Sequence, residues 1–256
     1  MKDKLVDELV KYFSLENERV YKIPESYEGK RLFLRRLINI REAMPLDEEI
    51  LEKEDNLLKL ELKEKKLVKA SDFKDKVSLY KGDIATIKCD AIVNACNEYL
   101  LGCFIPNHSC IDNQIHTFAG IRLRLKCNDI MKGDTLESGK VILTSGYNLP
   151  CKYIIHTVGP KVQGVLTKEN EDELKACYVN SLELAKENNI RSIVFPCIST
   201  GVYRYPKDKA ASLAYKTVKD YLKDNDKYFD KIIFNVFKDE DEMIYERLFE
   251  DKEINR

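Results

Sequence analysis

Residues 192–203 read Ser-Ile-Val-Phe-Pro-Cys-Ile-Ser-Thr-Gly-Val-Tyr. Ile193, Val194 and Phe195 are apolar in succession, so a strand here has no polar face. A strand of that kind belongs inside a sheet covered by helices on both sides. Pro196 closes the run, and the Ser199-Thr200-Gly201 turn leads toward residues 207–222, whose apolar spacing is helical.

The same alternation extends outward from this unit. Strands are expected at 77–80, 91–94, 140–144, 153–157, 192–196 and 232–237, and helices at 111–125, 171–188, 207–222 and 240–250. Alternating β and α segments predict an α/β fold, a three-layer α/β/α sandwich with a mixed, largely parallel central sheet, over residues 71–256. The pattern changes before residue 70. Leu5, Leu9 and Phe13 share one helical face, as do Phe33, Leu37, Ile40 and Met44. Pro45 breaks the pattern, and Asp47 is placed to cap a third helix carrying Ile50, Leu51, Leu57 and Leu58. Residues 1–70 are therefore expected to form an N-terminal helical extension, too thin for a rich core of its own and packed on the main domain.

Composition narrows the class. The 43 basic residues nearly cancel the 44 acidic ones, so no basic field favours nucleic acid. No apolar run approaches the ~18 residues of a membrane span, and residues 1–10 alternate charge with leucine as an amphipathic helix does rather than a signal peptide. The expectation is a cytoplasmic protein, monomeric by default. In a reducing compartment its eight cysteines are buried thiols, metal ligands or a nucleophile.

In open α/β sheets, ligands bind at the carboxyl ends of strands. Three loops qualify: Gly82-Asp83-Ile84, the stretch from Asn94 through Asn97 to Asp112, and Cys197 to Tyr203. The Ser-Thr-Gly turn can aim several backbone N–H groups at a diphosphate, with Gly201 allowing close approach and the following helix adding its dipole, or it can be a plain connector. The middle loop carries Cys103, His108 and Cys110 in a C-x4-H-x-C pattern. Two thiolates and an imidazole suit zinc, and three ligands leave a position for water or substrate. The alternative makes the cysteines core fillers and His108 a surface residue. His116 points either back to this site or into the core. His156 is expected to be structural, and Cys89, Cys96, Cys127, Cys151, Cys177 and Cys197 to be packing residues.

Five runs taken together resemble the macrodomain family: Gly82-Asp83-Ile84, Asp90-Ala91-Ile92-Val93-Asn94-Ala95-Cys96-Asn97, Ile111-Asp112-Asn113-Gln114-Ile115-His116, Tyr153-Ile154-Ile155-His156-Thr157-Val158-Gly159-Pro160 and Phe195 to Tyr203. Their order and spacing cover about residues 75 to 250. The resemblance implies ADP-ribose binding and, as in many members, hydrolysis of ADP-ribose from proteins or of O-acetyl-ADP-ribose. It implies that Asp83 accepts from the adenine amino group, with Ile84 near the base. Asn97 would orient the distal ribose, with Asn94 supporting its loop. Ser199, Thr200, Gly201, Val202 and Tyr203 would wrap the diphosphate, and Asp112 matches an acidic position near the distal ribose.

The departure from the common pattern lies between Asn97 and Asp112. Where most members have glycines, this chain has Gly102-Cys103-Phe104-Ile105-Pro106-Asn107-His108-Ser109-Cys110. That resembles a zinc-dependent subclass, whose members also carry a helical N-terminal extension. The resemblance thus implies Zn2+ on Cys103, His108 and Cys110, with Asn97 and Asp112 as catalytic residues. The implied activity is removal of ADP-ribose from modified protein side chains, through an aspartate or glutamate ester. Alternatives are an O-acetyl-ADP-ribose deacetylase, a non-catalytic reader of ADP-ribosylated proteins, and zinc that only stiffens the loop.

Overall fold

The computed structural model describes residues 1–16 and 21–250; residues 251–256 of the expected main domain lie outside the described residues. Three helices come first: α1 (Lys2–Glu16), α2 (Tyr27–Ile40) and α3 (Glu48–Glu64). Ser26 caps α2 by accepting the Gly29 N–H at 3.1 Å. Asp47 stands at the expected cap of α3, but its side chain makes no capping bond. Val6, Leu9 and Phe13 meet Leu34, Leu37, Leu51 and Leu57 in a small core that also takes in Ile121.

Beyond them the chain runs β1 (Val68–Lys69), β2 (Val77–Lys81), β3 (Ile87–Lys88), β4 (Ala91–Cys96), α4 (Ile111–Ala119), α5 (Ile121–Met131), β5 (Val141–Ser145), β6 (Tyr153–Val158), α6 (Lys168–Glu187), β7 (Ser192–Phe195), α7 (Lys207–Asn225), β8 (Lys231–Val236) and α8 (Asp239–Glu250). The main sheet has the order β2-β8-β7-β4-β6-β5. All neighbours are parallel except β5, which pairs antiparallel with β6, Val141 facing Thr157. β1 and β3 form a separate two-residue parallel pair.

The apolar-on-both-faces reading explains the layers. On one side of the sheet Val93, Ile155, Ile193 and Phe195 pack against Leu174 and Tyr178 of α6, Ala214 and Val218 of α7, and Tyr245 of α8. On the other, Ile92, Ile154, Val194 and Ile233 meet Ile115 of α4 and Leu123 and Cys127 of α5. This is the three-layer α/β/α sandwich with a mixed, largely parallel sheet. The helices α1–α3 add a further layer outside α5, anchored through Ile121.

One expected element divides. The helix read over 111–125 breaks at Gly120, whose φ of +97° and ψ of 173° lie outside helical space and favour glycine. A side chain there would also press on Leu58, Asn148 and Glu54 at 3.1–3.2 Å. The break turns α5 so that Ile121 faces the N-terminal helices.

Candidate functional site

The parallel strands β2, β8, β7, β4 and β6 deliver their carboxyl ends to one edge of the molecule. Asn94 lies in β4 and is fully buried. Its Nδ2 donates to Asp112 Oδ1 at 2.9 Å and approaches His156 Nδ1 at 3.2 Å. Asn97 follows the end of β4. Its Nδ2 donates to Gly102 O at 3.0 Å and to Asp112 Oδ2 at 3.3 Å, while its Oδ1 accepts the Tyr99 N–H. Each oxygen of Asp112 therefore receives an asparagine amide.

Burial raises the Asp112 carboxyl to about 6, against the opposing pull of Asn94 and Arg124. His116 sits beside it, Nε2 3.6 Å from Asp112 Oδ1, and neither of its ring nitrogens meets a hydrogen-bond partner among the described residues. Burial holds its pKa well below the ordinary histidine value, with Arg124 and His156 adding to the effect and the nearby Leu100 backbone opposing it, so the ring is neutral. Gly102 closes over it: a Cβ at Gly102 would come 2.8 Å from the imidazole. His116 is thus buried beside Asp112 and stands apart from the Cys103–His108–Cys110 group.

Cys103, His108 and Cys110 each bring one potential ligand atom within 4.8 Å of the others. Cys103 Sγ and His108 Nδ1 are 3.5 Å apart. Zinc bonds of about 2.1–2.3 Å at tetrahedral angles place ligand atoms ~3.5–3.8 Å apart; the Cys103–His108 spacing matches, and the donor set of two sulfurs and an imidazole suits such an ion. Cys110 is also the N-cap of α4, its sulfur accepting from Asn113 N at 3.4 Å. Burial pushes the Cys110 thiol up to about 12; the Asn113 N–H opposes this and Cys103 reinforces it. A metal would have to displace that proton on binding. His116, Cys127 and His156 form a second group of similar spacing, fully buried. There both His156 ring nitrogens are already engaged, by Asn94 and by Thr144 Oγ1 at 2.9 Å, as a structural histidine requires.

After β7 the chain makes a compact turn. Tyr205 N donates to Ser199 O and Arg204 N to Gly201 O, both at 3.0 Å. Ser199 adopts φ +64°, and its Oγ is buried with no hydrogen-bond partner among the described residues. Thr200 Oγ1 donates to Cys197 O at 3.1 Å. Nothing lies within 4 Å of where a Gly201 Cβ would be, and Val202 is 72% exposed. Tyr203 is half-buried, with Lys161 Nζ 5.1 Å from its ring centre. The expected helix dipole is displaced, because α7 begins only at Lys207, behind Arg204, Tyr205 and Pro206.

At the far end of the sheet, Asp83 follows β2. Its Oδ1 accepts from Ala85 N at 2.9 Å and its Oδ2 lies 3.4 Å from Lys65 Nζ. Ile84 is buried in the core shared with α4 and α5.

Residues 93–214 match the family model described as Macro domain. A Staphylococcus aureus relative named protein-ADP-ribose hydrolase is 43% identical over 234 residues, 89% of this chain and 87% of that protein. A Treponema medium relative of the same name is 41% identical over 251 residues, 94% of this chain and 96% of that one. The chain belongs to the macrodomain family. Among solved structures, the Trypanosoma brucei macrodomain in complex with ADP-ribose matches with a TM-score of 0.66 and 28% identity, over 88% of this chain and 97% of that one.

This macrodomain also relies on residues to which the sequence reading gave no role of their own. Asn235, buried in β8, donates to Tyr80 O and Gly82 O at 3.2 and 3.0 Å and so fixes the loop bearing Asp83. A lone asparagine in the otherwise apolar run Ile232-Ile233-Phe234-Asn235-Val236 was the available signal. Gly159 packs on Ser199: a Cβ there would lie 2.1 Å from Ser199 Oγ. Arg124, buried in α5, donates to Leu101 O and Ile38 O at 2.7 Å, and to Arg41 O. It joins the middle loop to the end of α2.

Proposed function

We propose that this protein hydrolyses the bond between the distal ribose of ADP-ribose and a protein side chain, an aspartate or glutamate ester, with zinc held by Cys103, His108 and Cys110. The observation that carries the reading is the order of the loops along the sheet edge. Asp83 follows β2, the Ser199–Tyr203 turn follows β7, and Asn97 follows β4, with β8 and β7 between the outer two. Three strand spacings are roughly 14 Å. An extended ligand with adenine at Asp83 would set its diphosphate on the turn and its distal ribose at Asn97, beside the metal loop. The two bacterial relatives named protein-ADP-ribose hydrolase support the hydrolase part of this reading.

In this reading Asp83 accepts from the adenine amino group, with Ile84 lining that end. Backbone N–H groups of Ser199 to Tyr203 hold the diphosphate. Asn97 orients the distal ribose, and Asn94 keeps Asp112 aimed at the same point. A carboxylate raised to about 6 by burial is close enough to neutrality to take a proton from water or a ribose hydroxyl. When bound, zinc would supply a Lewis acid able to lower the pKa of a bound water toward about 7. Residues 1–70 form an extension of a macrodomain at 71–256. The protein works as a monomer in the cytoplasm, a setting its eight unpaired cysteines suit.

The test offers the protein three substrates: aspartate- or glutamate-modified protein, O-acetyl-ADP-ribose, and free ADP-ribose. Release of ADP-ribose from the modified protein supports the proposal. Turnover of O-acetyl-ADP-ribose alone makes it a deacetylase, and tight ADP-ribose binding without release from either makes it a reader.

A further inference from the structure

The three candidate ligands stand on a loop that looks self-contained in the sequence, yet its backbone is held from outside. Asn113, in the first turn of α4, is fully buried. Its Nδ2 donates to Cys103 O at 3.2 Å and Ile105 O at 3.1 Å, and its backbone N–H donates to Cys110 Sγ at 3.4 Å. Its Oδ1 accepts from Arg35 of α2, through Nη2 at 2.6 Å and Nε at 3.2 Å. The same Arg35 Nη2 donates to His108 O at 2.9 Å. Between them, Arg35 and Asn113 touch all three ligand residues: Cys103 and His108 through their carbonyls, Cys110 through its sulfur. Asn39 of α2 adds another hold, its Oδ1 accepting the Asn107 N–H at 2.9 Å, where the loop takes a left-handed residue at φ +55°.

We infer that Arg35 and Asn113 are positioning residues for the metal, so that the N-terminal helices are a working part of the site. The inference rests on the zinc reading above. A flexible loop would give up conformational entropy each time it closed around an ion. Here the cost is met in folding, because the carbonyls of residues 103, 105 and 108 are already fixed against α2 and α4. Once a metal has displaced the thiol protons, a guanidinium bonded to the same loop would also offset the charge of the two thiolates, which a neutral residue of similar size cannot do.

Groups that orient metal ligands from behind typically contribute about 10–100-fold to metal affinity. The experiment measures zinc affinity of the full chain by competition with a chromogenic chelator, for wild type, Arg35→Met, Arg35→Lys and Asn113→Leu. The d–d spectrum of each protein loaded with cobalt(II) reports ligand geometry separately from folding. Arg35→Met and Asn113→Leu are expected to lose at least tenfold in zinc affinity and to broaden or shift the cobalt bands. Arg35→Lys, which keeps the charge and one donor but not the fork, should fall between them and wild type. If Arg35→Met or Asn113→Leu does not fold, Arg35→Lys alone decides, through affinity and spectrum. Variants that bind zinc as tightly as wild type, with an unchanged cobalt spectrum, overturn the inference even if their folding stability drops. A wild type that takes up no zinc refutes the metal reading itself, and this inference with it.

Discussion

Glu54 offers a pH-dependent test of how the N-terminal helices join the sheet domain. It lies in α3, 2% exposed, and its Oε2 accepts the Ile121 N–H at 2.8 Å, at the start of α5. Burial is the main reason its carboxyl moves from an ordinary 4.5 to about 7; the Ile121 N–H opposes this, Asp55 reinforces it, and Arg31 and Arg124 also oppose it. A carboxyl with a raised native pKa favours the folded state in its protonated form. Its contribution is full below pH 4.5, declines as pH rises, and is lost above about pH 7. At ~1.36 kcal/mol per pKa unit, the displacement corresponds to roughly 3 kcal/mol across that window. Glu54→Gln mimics the protonated acid and keeps an oxygen for Ile121. In urea unfolding the variant should exceed wild type by less than about 1 kcal/mol near pH 5 and by an amount approaching that figure at pH 8. Asp112 titrates in the same range, but it is common to both proteins and cancels in the difference. A variant–wild-type difference that is the same at pH 5 and pH 8 would refute the assignment of this pH dependence to Glu54.

Other outcomes follow from the same contacts. Arg124→Met strips a buried guanidinium from the carbonyls of Leu101, Ile38 and Arg41 and should cost roughly 2–5 kcal/mol of stability in urea unfolding; a loss below 1 kcal/mol would mean those carbonyls find other donors. Asp112→Asn should slow single-turnover release of ADP-ribose by ~10²-fold or more while calorimetry still finds ligand binding, and a near-wild-type rate would remove Asp112 from the chemistry. Asp83→Ala, which takes away an acceptor on the adenine side, should weaken ADP-ribose binding by roughly tenfold to a hundredfold. Unchanged affinity there would show that adenine is held elsewhere.

The parts of this molecule legible in its sequence are those whose physics is local. Three apolar residues in a row at Ile193, Val194 and Phe195 announce a strand buried on both faces, and the sheet places them there. Cys103, His108 and Cys110 lie within eight positions, so their convergence needs only a short loop to fold back. What escaped the reading depends on partners distant in the chain. Arg35 and Asn113 are 78 residues apart, and Asn235 meets the carbonyl of Gly82 across 153. No periodicity encodes such pairs, and one of three arginines on an amphipathic helix reads as a solvated charge until its neighbour is known. Gly120 was hidden for another reason: apolar spacing carries across it from Ile115 to Leu123, and only its backbone angles divide α4 from α5.

Stripping the protein of metal and returning zinc in measured steps, while following release of ADP-ribose from glutamate- or aspartate-modified protein, tests the central claim most directly. The account predicts that the metal-free protein is nearly inactive and that the rate climbs in proportion to added zinc until one ion per chain is bound. It also predicts that Cys103→Ala, His108→Ala and Cys110→Ala do not recover. Full turnover by the metal-free protein, or by any of those variants, would contradict it.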